Sequence, residues 1–373
     1  MRRRLVLLPL ALWLLGAAPL PPQPAGVPWP TGRWAEGPPA GTVDRAALQT
    51  ASDALFAPVG RGGLPDTRAL VAVQGGRVVW QRFADGFGAD SPFRSWSMAK
   101  SVTNALAGLL VRDGKLALDA PAPVPRWQRA GDPRRALTLR HLLTMTTGLD
   151  NADGGDGADS YVARILFGDL ASDTARGAEQ AELDHEPGTH WAYSTATSQI
   201  VSAIVARTVG GGREGVDAFV TRELRAPLGL RTLVLEFDPA GTPLGGGYVW
   251  ASAADWARLG LLYLRDGVWD GRRILPEGWV DFTRTVAPAE NNGTYGAHFW
   301  VSAKPAEDQF QTLRPGIEAF QMNGNAGQYV VIAPDRDLVV VRLGEMHATS
   351  WAELNDRIGA FIQAFPQQEG AAR

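Results

Sequence analysis

Apolar positions follow two different periods along this chain. Residues 69–83, ALVAVQGGRVVWQRF, hold two β-rich runs around Gly75-Gly76, which predicts a hairpin. Near the other end, AGQYVVIAP and DLVVVRLG flank Pro334-Asp335-Arg336 and predict two more strands with a turn between them. In the stretch from about 115 to 290 the spacing shifts to three and four, and VSAIVARTV, DAFVTRELRAPLG and SAADWARLGLLYLRDG predict helices. TNALAGLLVRDG, stopped by Gly114, predicts a helix just before that stretch. TVDRAALQTASDALFA predicts an amphipathic helix from Thr42 with a capping Thr, and a last helix is expected from about Ser350 to Phe365. Strand signals at both ends and helices between them predict an α+β fold. One antiparallel sheet, built from 42–114 with 291–373 and packed with the terminal helices, carries a mostly helical insert over 115–290. A cleft between sheet and insert is the expected place for a site. No internal repeat is present.

The first 20 residues stand apart from this pattern. MRRRLVLLPLALWLLGAAPL places three arginines before a 16-residue apolar run, the pattern of a signal peptide. That run is shorter than the roughly 20 residues a spanning helix needs, and it contains Pro9. A cleaved signal and a periplasmic or secreted protein are therefore expected, with membrane contact only through an uncleaved signal. Residues 21–41 are rich in Pro and Gly and read as a linker or an arm. The absence of cysteine excludes a disulfide framework and a lipid-bearing cysteine. A net charge of -3 offers no basic stripe, so nucleic acid is not an expected partner.

Chemistry enters at SWSMAKSVTN, residues 95–104. Of 36 basic residues only Lys100, Lys115 and Lys304 are lysines. Arginine keeps its proton in proteins, whereas a buried lysine can give it up and act as a base. Ser97 and Lys100, three apart at the start of a helix, share one face, so Lys100 can take the proton that a serine nucleophile must lose. The helix N-terminus supplies free N–H groups for an oxyanion. A lysine at its ordinary pKa is almost never neutral at pH 7, so burial or a helper is required. Tyr193, in EPGTHWAYSTATSQI, is a candidate helper, projected from a loop ahead of a helix that begins near Thr195. By itself each of these residues also fits an ordinary structural role. DNADGGDGADS, 150–160, lacks calcium-loop spacing and reads as a mobile acidic loop beside the cleft. The five histidines show no HExxH pattern, so neither a metal nor another cofactor is expected; His298 either assists at the site or, as a lone histidine, is structural. Trp96 and Trp191 flank the candidate residues, where they either fill a core or line an apolar pocket.

SMAK at 97–100, LTLRHLLTMTTGL at 137–149, EPGTHWAYS at 186–194 and GQYVVIAPDRDLVVV at 327–341 together resemble the serine hydrolases of the class C β-lactamase superfamily. The branch that the chain looks most similar to is that of the 6-aminohexanoate-dimer hydrolases. The resemblance implies a β-lactamase/DD-peptidase-like fold, Ser97 as acylated nucleophile, Lys100 as its base and Tyr193 as proton relay. It also implies that the backbone N–H of Asn325, next to Gly324, joins that of Ser97 in an oxyanion hole, with Thr195 and Trp191 at the substrate. Thr195 stands where the family usually has Asn, and Met322 where it has a Lys or His. The expected activity is hydrolysis of a small amide or ester through an acyl-enzyme, similar to 6-aminohexanoate-dimer hydrolysis. The alternatives are a carboxylesterase, a D-amino-acid peptidase or β-lactamase, and a catalytically silent relative that binds a ligand in the same cleft.

Overall fold

The computed structural model describes residues 19–57, 67–154, 157–290, 293–302, 313–346 and 351–368. All of the expected signal but Pro19 and Leu20 lies outside them. Among the described residues no helix is long and apolar enough to cross a membrane.

The N-terminal hairpin forms as the pattern predicts. Strands β1 (Thr67–Gln74) and β2 (Arg77–Phe83) turn through Gly75 and Gly76, whose positive φ of 58° and 71° is the left-handed pair that a tight two-residue turn demands. Four C-terminal strands, β3 (Trp300–Ser302), β4 (Ala319–Gly324), β5 (Gln328–Ala333) and β6 (Leu338–Gly344), complete a six-stranded sheet in the order β2-β1-β6-β5-β4-β3. Every neighbouring pair is antiparallel, and β1 meets β6 with Val71 opposite Val341. The two ends of the chain thus close one sheet, as expected.

Five helices matter for the argument: α1 (Arg45–Phe56), α2 (Ala99–Arg112), α3 (Thr195–Val209), α4 (Ala253–Leu264) and α5 (Trp351–Gln363). Side-chain alternation along β6 divides the core between two layers. Leu338 and Val340 pack with Leu48 and Leu55 of α1 and Ile358 and Phe361 of α5, while Val339 and Val341 pack with α2 and α4. On α4, a Cβ at Gly260 would lie 2.6 Å from Val339 and 2.9 Å from Val330. That glycine therefore lets the helix backbone come down onto the sheet.

Some boundaries differ from the reading of the pattern. Asp44, not Thr42, caps α1, because its carboxylate sits one residue before the helix and accepts from the N–H groups of Ala46 and Ala47. Helix α2 begins at Ala99, a turn before the predicted stretch. The predicted helix over DAFVTRELRAPLG is broken by a π-turn at Thr221–Arg225, just before Pro227, which has no N–H for an i−4 bond. Residues 21–41 form an arm bound to the body. The Pro30 carbonyl accepts from Arg258 Nε at 2.8 Å, and Trp269 Nε1 donates to Thr31 Oγ1 at 2.7 Å. Glu36 bridges Val78 and shields the β2 edge.

Candidate active site

The start of α2, the start of α3 and the glycine run Gly245–Gly247 meet around Lys100. Ser97 lies on a 3-10 turn, Trp96–Met98, that leads directly into α2. Ser95 anchors this turn: its backbone N–H donates to the Val249 carbonyl at 2.8 Å, and its Oγ accepts from Val249 N–H at 3.0 Å. Trp96 takes a positive φ of 47°, a conformation that costs a non-glycine residue and that clusters at functional sites.

Lys100 is almost completely buried, at 1% exposure. Its Nζ donates to Ser97 Oγ at 3.1 Å, Thr195 Oγ1 at 3.0 Å and the Gly246 carbonyl at 2.8 Å, which uses all three protons of the ammonium form. Thr195 Oγ1 passes its own proton to Asp153 Oδ2 at 2.6 Å, and Thr195 N–H donates to Asp153 Oδ1 at 2.6 Å. When Lys100 loses a proton, a lone pair replaces one donor. A carbonyl cannot face that lone pair with a proton, and Thr195 has already committed its proton to Asp153. Ser97 is the partner left to donate, so the network directs the free base at the serine hydroxyl.

Burial supplies the free base. Desolvation lowers the Lys100 pKa from 10.5 to about 8, against a pull upward from Asp153. Burial raises the half-buried Asp153 carboxyl, while Lys100 and the two Thr195 bonds hold it down. Tyr193 is pushed well above the usual phenol range by burial first and Asp153 second, with a hydrogen bond to Ser97 opposing both. It therefore stays neutral at pH 7 and can carry a proton but not act as a phenolate. The Lys100 ammonium sits 4.8 Å from the centroid of the Tyr193 ring, a cation–π contact. Tyr193 stacks on Trp300 at 5.2 Å and meets Tyr295 edge-on at 5.7 Å. Trp191 joins the same aromatic wall, 5.5 Å from Tyr295. A cavity of roughly 390 Å³, lined by Gly188 to Trp191 and Pro288 to Glu290, opens beside that wall rather than over Ser97.

The residues read from the sequence come together unevenly. Ser97, Lys100, Tyr193 and Thr195 form one contact set. Gly324 is brought to the nucleophile turn, since a Cβ there would lie 2.1 Å from the Ser95 carbonyl oxygen and 3.2 Å from Trp96 Cβ. Asn325 follows directly, and its side chain is exposed. Met322 is buried in the core at 1% exposure and carries no charge, so this position supplies no cation. His298 is structural in its contacts. Its Nδ1 lies 3.1 Å from the Lys100 carbonyl, which can only accept, so Nδ1 carries the proton and Nε2 accepts from Ser198 Oγ at 3.3 Å. Burial, reinforced by the Lys100 charge, lowers its pKa from 6.5 to about 3.

Two parts of the site escaped the sequence reading. Asp153 lies in the stretch taken for a mobile acidic loop, yet its carboxylate is tied to Thr195. Composition alone does not say which of several clustered acids turns inward. The Gly245–Gly247 run was also passed over. A Cβ at Gly245 would lie 2.2 Å from Thr103 Oγ1, and one at Gly246 would lie 2.8 Å from Thr195 Cγ2. Three consecutive glycines before an aromatic strand were the available signal of such a close backbone approach.

Comparison with known proteins bears on the family and the fold. The chain is 25% identical over 306 residues to the 6-aminohexanoate-dimer hydrolase of Paenarthrobacter ureafaciens, covering 78% of this chain and 74% of that one. It is 31% identical over 221 residues to Esterase EstB of Burkholderia gladioli, covering 52% of this chain and 53% of that one. The fold matches a class C β-lactamase from Rhodobacter sphaeroides with a TM-score of 0.58 at 20% identity, covering 85% of this chain and 98% of that one. The sequence profile of the Beta-lactamase family matches residues 53–358, and the chain belongs to that family.

Proposed function

We propose that this protein is a serine hydrolase that cleaves linear amides or esters through an acyl-enzyme on Ser97. The observation that carries the reading is a buried lysine with its pKa lowered to about 8 whose free-base lone pair can only face Ser97. In the first step Lys100 Nζ takes the Ser97 proton as Oγ attacks the carbonyl carbon, and the carbonyl electrons move onto oxygen. The backbone N–H groups of Ser97 and Asn325 stabilise that oxyanion. Collapse of the intermediate breaks the bond to the leaving group, which takes a proton from Tyr193, and Lys100 returns the proton to the phenol. Water then repeats the sequence and frees Ser97. The acyl-enzyme chemistry is consistent with relatives that include a 6-aminohexanoate-dimer hydrolase and an esterase. With Thr195 and Met322 at the two β-lactam-contacting positions, penicillins and cephalosporins are poor substrates on this reading.

Labelling with a fluorophosphonate, followed by mapping of the adduct, tests the nucleophile. Adduct at Ser97 is expected, and its absence at every pH favours a ligand-binding relative without catalysis. A side-by-side kcat/KM comparison of nitrocefin, linear 6-aminohexanoate dimer and a D-Ala-D-Ala peptide tests the substrate class. Nitrocefin as the best of the three by a wide margin overturns the inference from Thr195 and Met322. We also place the reaction outside the cytoplasm, on the strength of the arginine-led apolar run at residues 1–20. Full-length protein free in the cytosol on fractionation refutes that placement.

A further inference from the structure

A second wall of the site carries a charge that the proposed mechanism does not use. Phe93–Arg94, Val249–Ala251 and Val234–Leu235 form a small three-stranded sheet next to the nucleophile turn. Alternation buries Phe93, Ala251, Val249 and Leu235 on one face. Arg94, Trp250 and Val234 stand in one cross-strand row on the other. The Arg94 guanidinium is held between two rings, with Cζ 3.7 Å from the Trp96 centroid and 4.2 Å from the Tyr248 centroid.

That clamp ties the cation to the two segments that carry the nucleophile and a partner of the base. Trp96 directly precedes Ser97, and Tyr248 follows by two residues the Gly246 carbonyl that binds Lys100. Phe167, 66% exposed, meets Tyr248 edge-on at 6.3 Å and extends the wall outward. Arg94 forms no ion pair among the described residues. Its Nε and Nη2, shielded from water, have no hydrogen-bond partner. Glu236, just past the far strand Val234–Leu235, accepts instead from Trp250 Nε1. Stacking covers both faces of the guanidinium, and its one hydrogen bond among the described residues goes to the neutral Tyr248 hydroxyl, so the charge has no carboxylate beside it, although planar guanidinium groups are suited to bind carboxylates edge-on. An uncompensated cation in a partly dry site costs stability, and a ligand anion removes that cost.

The side of the site fixes which part of a substrate would reach this cation. The leaving group must face Tyr193, on the wall made with Trp300, Tyr295 and Trp191. A substituent lying along Trp96 and Tyr248 therefore belongs to the acyl part. We propose that Arg94, clamped between Trp96 and Tyr248, selects acyl groups that end in a carboxylate: half-amides or half-esters of short dicarboxylic acids. This rests on the acyl-enzyme reading above and narrows it. It replaces the cation missing at Met322 with one on a different wall. It also disfavours an acyl group ending in a protonated amine, which sets this chain apart from a hydrolase of 6-aminohexanoate dimer.

Matched p-nitrophenyl esters test the proposal: the half-esters of adipic and suberic acid, p-nitrophenyl hexanoate, and p-nitrophenyl 6-aminohexanoate. In the wild-type chain, kcat/KM for at least one half-ester should exceed that for the hexanoate ester by about tenfold or more. The amino ester should be the poorest of the set. Added salt should shrink the half-ester advantage by screening it. In Arg94→Met the ratio of half-ester to hexanoate should fall to about one, whatever happens to the overall rate, and Arg94→Lys should keep part of it. A wild-type ratio at or below one for both lengths overturns the proposal, as does an unchanged ratio in Arg94→Met. If Arg94→Met does not fold, a wild-type ratio unmoved by salt overturns it. Turnover of the hexanoate ester without half-ester preference defeats this inference alone. Failure of every ester to acylate Ser97 defeats the hydrolase reading with it.

Discussion

Replacing Lys100 by arginine keeps a cation next to Ser97 but removes the possibility of a free base. At a pKa of about 8, about one wild-type molecule in eleven carries neutral Lys100 at pH 7, against about one in 3,000 at the ordinary 10.5. Burial thus raises the share of competent enzyme by roughly 300-fold, and arginine, with a pKa above about 12, forfeits all of it. Loss of general-base help costs about 10² to 10⁴ in rate, so acylation in Lys100→Arg should fall by at least about 100-fold. The assay is the acylation rate with p-nitrophenyl acetate and with a fluorophosphonate across the pH range. The wild-type rate should climb about tenfold per pH unit below the Lys100 pKa and level off above it, and the variant should show no such inflection. Because the guanidinium is bulkier than the ammonium it replaces, circular dichroism and a thermal melt accompany the kinetics, and Lys100→Met serves as a smaller replacement. An arginine variant that acylates within about threefold of wild type would show that Lys100 is not the base. A wild-type profile without an inflection near 8 refutes the electrostatic argument.

Three other outcomes follow from the same contacts. Asp153→Asn removes the charge that holds the Lys100 pKa up, so the acid limb of the kcat/KM profile should move to lower pH, and an unmoved limb shows that Asp153 does not act on Lys100. Tyr193→Phe should slow amide hydrolysis by about 100-fold or more and p-nitrophenyl ester hydrolysis much less, because nitrophenolate leaves without a proton and an amine does not; equal losses would refute the relay role. Buried His298, at about 3 in the folded chain and 6.5 when unfolded, binds a proton only on unfolding, so its contribution is complete above pH 6.5 and is lost as pH falls toward 3. This amounts to about 2 kcal/mol at pH 5, on the order of 1.4 kcal/mol per unit, and His298→Gln should flatten the acid side of the stability curve in thermal melts. An unchanged acid dependence refutes it.

The sequence by itself determined those features that depend on short-range spacing. The Gly75-Gly76 turn, the two terminal sheet segments and the order Ser97, Lys100, Tyr193 were all legible, because turn chemistry, alternation and a three-residue helical offset act between neighbours in the chain. The scarcity of lysine, three among 36 basic residues, pointed to the base for a chemical reason that needs no coordinates. Only the tertiary structure decided which distant groups close on that base. Asp153 reaches Thr195 across 42 residues of chain, and Gly246 reaches Lys100 across 146. Neither contact has a period that a sequence could display. Tertiary packing also turned the Pro/Gly stretch at 21–41 into a bound arm and set α4 on the sheet through Gly260. It left Arg94 between the Trp96 ring of the nucleophile turn and the Tyr248 ring that follows the glycine run, with no ion-pair partner among the described residues. Burial drives these outcomes, and burial is a property of the whole chain: it lowers Lys100 toward neutrality and raises Tyr193 away from ionisation, and no local pattern records how much water each side chain loses.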